Sequence, residues 1–157
     1  MTPPRRLAWR LVAVLQLLGA ALLLYLILVM TRRAGLNWAL AAAMLAFAVV
    51  VLGFLLSAIG LWRGNRRAAW WSLGLQLIQL PCIVTAPLTF YFAAPALAGL
   101  TAHPAAGLHW HTHWRPTLEI TLDGDPSLPG VGVNLLALTA IVLLAYGLRR
   151  KPALPAG

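Results

Sequence analysis

The chain has 157 residues, 61% of them apolar and only 10% charged, with a mean hydropathy of +0.83. That composition excludes an ordinary soluble domain, which is nearer half apolar and a quarter charged. The net charge of +9 would suggest nucleic acid in a soluble protein. Here the basic residues stand in pairs and triplets at the ends of apolar runs, with no continuous basic face, so the sequence predicts no nucleic-acid partner.

Arg5, Arg6 and Arg10 precede a first apolar run over about 11–30, and Arg32 and Arg33 follow it. The run is longer than the 7–15 apolar residues of a signal peptide, and no small-x-small cleavage site precedes Arg32, so it reads as an uncleaved first span. A second run over about 38–62 ends at Arg63, Arg66 and Arg67, and its segment 39–56 carries no polar side chain. A third covers about 68–94 and is irregular, because Pro81 and Pro87 each remove a backbone donor. A fourth, over about 131–148, ends at Arg149, Arg150 and Lys151. Each run is near the roughly 20 residues that cross about 30 Å of hydrocarbon as a helix. The expectation is an all-α integral membrane protein, a four-transmembrane-helix bundle forming one domain over 1–157. Nine basic residues fall on the side of the two termini and the 63–67 loop, and three on the other. By the positive-inside rule both termini are cytoplasmic, in a bacterial inner membrane.

No Asp, Glu, Lys, Arg or His lies in the core of any run, which argues against a proton- or ion-coupled carrier. The amides Gln16, Gln76 and Gln79 are expected to form an intramembrane polar cluster, Gln16 pairing with one of the other two across the first and third helices. Ala42 and Ala46, then Gly53 and Ser57, stand four apart on the second run and suit close helix packing. The expected partners are the lipid bilayer and either another protein or a second copy through the helix faces.

The remaining 95–130 reads as an outer loop. Its segments 108–114 and 117–123 alternate with period two, which predicts short strands and a hairpin element between helices three and four. On such a strand His109, His111 and His113 share a face, with neighbours about 6.7 Å apart. Two imidazoles at that spacing can converge on Zn or Cu, and His103, Glu119 or Asp123 could complete the site. The single cysteine, Cys82, excludes an intramolecular disulfide. No nucleophile–base pair, phosphate loop or HExxH motif is legible, so the chain reads as non-enzymatic. The expected role is that of an interaction, accessory or protective subunit; the alternative is metal binding or handling by the His-x-His-x-His row.

Overall fold

The computed structural model describes residues 3–34, 38–85, 88–113, 116–122 and 129–149. In chain order its elements are α1 (Pro3–Ala34), α2 (Trp38–Trp62), α3 (Arg66–Gln79), β1 (Pro81–Val84), β2 (Leu88–Ala93), β3 (Leu97–His103), β4 (Gly107–His113), β5 (Thr117–Leu122), β6 (Gly130–Asn134) and α4 (Leu135–Leu148). The strands make one antiparallel sheet in the order β4-β3-β6-β1-β2-β5. The fold is therefore mixed α and β, and the expectation of an all-α four-helix membrane bundle is overturned. Among the described residues two helical stretches, Arg5–Arg32 and Met44–Trp62, are long and apolar enough to cross a membrane.

The third and fourth runs fail as single helices for a local reason. Pro81 cannot donate to the carbonyl of Leu77, and that carbonyl is taken instead by the N–H of Leu80 in a tighter last turn. Pro81 then opens a strand, a position proline tolerates. Cys82 to Val84 and Leu88 to Phe92 are rich in β-branched and aromatic residues that suit a pleated surface. Mutual backbone bonds between Thr85 and Leu88 turn β1 into β2. In the fourth run, residues 130–134 pair with β1 and β3, and the helix starts only at Leu135. Hydropathy registers burial from water, which a strand with an apolar wall provides as well as a helix.

The two period-two segments are strands over their described residues, 108–113 and 117–122, but they do not form a hairpin with each other. β4 pairs with β3 and β5 with β2, so consecutive strands lie at opposite edges of the sheet. Four residue steps join His113 to Thr117, a reach of at most about 14 Å. Six strands laid flat would separate the edges by about 24 Å. The sheet must therefore curl until β4 and β5 face one another at this end. Cys82 and Leu97, on strands that flank β6, meet in one buried cluster with Ala93, so the concave side is the one those side chains share.

Packing divides the molecule by height. At the lower end all four helices meet in a core of Trp9, Val12 and Ala13 (α1), Ala58 and Leu61 (α2), Ala69 (α3), and Ala140 and Leu144 (α4). Higher up, Ala20 and Leu23 of α1 with Val51 and Phe54 of α2 pack on Phe92 and Ala94 of the sheet. Gly74, inside α3, is a helix position where a Cβ would meet nothing within 4 Å. Gly74→Ala should therefore stabilise the fold by roughly 0.5–1 kcal/mol through the lower entropy of the unfolded chain. A raised denaturation midpoint in micelles would show it.

Candidate functional site

The register sorts the sheet into two chemically opposite faces. One rung crosses all six strands as His109–Thr101–Gly132–Cys82–Tyr91–Glu119. The neighbouring rung runs Leu108–Ala102–Val131–Ile83–Phe90. Cross-strand partners share a face, so the concave side carries the polar groups around the small buried cluster of Cys82, Ala93 and Leu97, and the convex side is apolar.

The concave face gathers His103, His109, His111 and His113. The His103 and His109 rings stand edge to face with centroids 5.2 Å apart, and those of His111 and His113 are 6.3 Å apart. His111 lies over Gly99, its neighbour on β3, where a Cβ would come within 2.8 Å of the imidazole Cδ2. A ring nitrogen of His103 is 3.0 Å from the carbonyl oxygen of Pro129, and one of His109 is 3.0 Å from that of Ala106. Both imidazoles thus meet backbone rather than a common centre. Glu119 accepts a hydrogen bond from the Tyr91 hydroxyl, at the far end of the rung that starts at His109. Asp123 lies outside the described residues. No group of three His, Cys, Asp or Glu that could hold a metal is present among the described residues.

Burial holds His111 below the ordinary imidazole range, helped by the charges that His113 and His103 would carry. A histidine whose neutral form is favoured in the folded state binds its proton more readily when unfolded. Stability should therefore fall as pH drops through the unfolded value of about 6.5 toward the depressed one. His111→Gln should flatten that slope in thermal denaturation scans between neutral and mildly acidic pH.

The predicted amides occupy the junction between helices and sheet. Gln16 of α1 is buried and donates to the Ser72 hydroxyl of α3 at 2.6 Å; the partner expected from the sequence is Gln76 or Gln79, and Ser72 lies one turn before Gln76. The carbonyl oxygen of Gln16 is buried and has no hydrogen-bond partner among the described residues. Gln79 accepts from the backbone N–H of Ala94 at 2.8 Å and donates to the carbonyl of Leu75 at 3.3 Å. Gln76 and Gln79 line a void of about 10 Å³ with Asn134, room for about one water.

At the centre of this junction stands Asn134, which the sequence places near the outer end of the fourth run as a local cap or loop contact. It caps α4 by accepting from Leu136 N–H at 3.1 Å, and also accepts from Ala98 N–H at 3.4 Å. Its own N–H donates to Leu80 at the end of α3. One buried side chain thus sits where both helix–strand transitions occur. The signal was present in the sequence: an Asn directly before an apolar helical run is a capping residue.

At the opposite end of the molecule the basic residues converge. Arg10 stacks over Trp62 at 5.3 Å, and Arg66 donates to the carbonyl of Leu148 at 3.3 Å, which places the end of α4 beside the start of α3. Arg6, Arg10 and Arg63 line a cavity of about 360 Å³ with Trp9 and Trp62.

Comparison with known proteins returns no matching family model, no similar curated protein and no similar solved structure.

Proposed function

We propose that this chain is an integral protein of a bacterial inner membrane, a non-enzymatic accessory subunit that engages a protein partner through its sheet. The membrane reading rests on the exposed apolar shaft. Val14, Leu18, Leu24 and Leu28 of α1, with Leu45, Val49, Leu52 and Leu56 of α2, all face outward. So continuous a surface calls for lipid rather than water. The arginines at one end and the sheet at the other supply the orientation. The start of α1, the α2–α3 turn and the end of α4 belong to the cytoplasmic side, and the sheet to the other.

The observation that carries the interaction reading is β4. It is an edge strand, its residues are exposed apart from half-buried His111, and among the described residues no strand neighbours its outer row of backbone groups. Such an edge is a template for an incoming strand, with main-chain bonds giving affinity and alternate side chains selectivity. The space between β4 and β5, at most about 14 Å at its narrow end, takes no more than two further strands. Photo-crosslinking from position 112 of β4 in native membranes tests this. The expected result is one protein adduct that does not form from Val142 on α4; the same adducts from both positions would reject it.

A second reading, Zn or Cu binding, is favoured by the two imidazole pairs on one face. Calorimetry should then show binding that weakens below about pH 6.5, where protons compete for the ring nitrogens, and that His111→Ala reduces most.

A further inference from the structure

We infer that the convex wall of the sheet is covered by lipid acyl chains at the level of the outer leaflet, so that the sheet sits within the bilayer and not above it. This rests on the membrane reading above.

The polarity of the sheet is inverted relative to a water-soluble one. The concave face holds the histidines, Tyr91 and Glu119, while Leu108, Trp110, Val131 and Val133 on the convex face are exposed to between 36% and 67%. Apolar outside and polar inside is the pattern of a sheet that meets hydrocarbon. α1 and α2 pack on this wall at Phe90 and Phe92, while Leu108, Trp110 and Val131 stay exposed.

Depth gives the same answer. Ala94 and Pro95, at the foot of the sheet, lie against Gly19, midway along the apolar stretch Arg5–Arg32. The strands therefore start near mid-membrane if α1 spans it. The fourteen residues of α3 reach only about 21 Å, short of the roughly 30 Å of hydrocarbon. With β1 the path becomes about 34 Å, and α4 with β6 reaches about 38 Å. Each helix needs its strand to complete the distance. Free strand edges are not tolerated in lipid; the curl turns those of β4 and β5 toward each other and away from the convex wall, where the partner strand proposed above would close them.

Nitroxide labels on the full chain in vesicles of phosphatidylcholine and phosphatidylglycerol test the inference. Single cysteines replace Leu108 and Val131 on the wall, Leu52 on α2 and Ala105 in the β3–β4 turn, all in a Cys82→Ala background. Oxygen, which concentrates in hydrocarbon, should relax the labels at 52, 108 and 131 more than an aqueous nickel chelate does, with the opposite order at 105. A lipid-like 52 with water-like 108 and 131 would overturn the inference and leave the membrane reading standing. Protection of 108 and 131 from both reagents would overturn it in favour of a protein cover. A water-like 52 would overturn the membrane reading, and this inference with it.

Discussion

Gly132→Ala is expected to destabilise the protein by about 3 kcal/mol, the upper end of what overpacking a filled interior costs. Gly132 sits on β6 between Thr101 and Cys82. A Cβ there would lie 2.7 Å from the Cα of Thr101 and closer still to the carbonyl oxygen of Leu100. Both obstacles are backbone, so no rotamer change relieves the clash, and β3 would have to move away from β6. That pairing sets the curl, and the curl brings β4 opposite β5. Denaturant titration in micelles measures the loss, with Gly74→Ala as the internal contrast of opposite sign. A cost below about 1 kcal/mol, the typical size of any substitution, would mean that the sheet is not folded so tightly about β6.

Gln79→Met should cost about 2 kcal/mol, because it leaves the buried N–H of Ala94 without an acceptor while keeping nearly the same volume. The bond between Gln79 and Ala94 joins the end of α3 to the foot of the sheet, so amide exchange at Ala94 should accelerate as stability falls. Gln16→Met should cost less, nearer 0.6 kcal/mol, the average for polar contacts between membrane helices. The Ser72 hydroxyl that Gln16 meets can turn back to a carbonyl of its own helix, whereas a backbone N–H cannot turn. Equal costs for the two substitutions would show that Gln79 does not join helix and sheet in this way.

What could be read from the sequence follows from the range of each force. The apolar runs of α1 and α2 and the basic residues at their ends are visible because hydropathy is a local property. The alternation at 108–114 and 117–123 is equally local, and strands stand there. The conformation of 81–93 was hidden because the segment is apolar enough to extend the third run; Pro81 with Ile83, Val84, Thr89 and Phe90 carried the contrary signal through strand propensity. Strand pairing was not legible at all. β6 inserts between β1 and β3, which follow α3 some thirty to fifty residues earlier, and nothing in either segment names its neighbour. The histidine row was legible as a row, but its partners were not. His103 and His109 turn to the carbonyls of Pro129 and Ala106, and Glu119 to Tyr91, contacts that only the folded sheet creates. Gln79 was recognised as a polar group at depth, while its acceptor role toward a backbone N–H fifteen residues on depended on the unforeseen β1–β2 turn.

The most direct test of the proposed orientation, with the helix ends on the inner side and the β3–β4 tip of the sheet on the outer side, is the sidedness of single cysteines in intact cells. In a Cys82→Ala background, Arg63→Cys in the α2–α3 turn and Ala105→Cys in the β3–β4 turn are probed with a membrane-impermeant maleimide. Labelling at 105 in intact cells, with labelling at 63 only after permeabilisation, is the predicted result. Labelling at both positions from the outside, or at 63 alone, would contradict it.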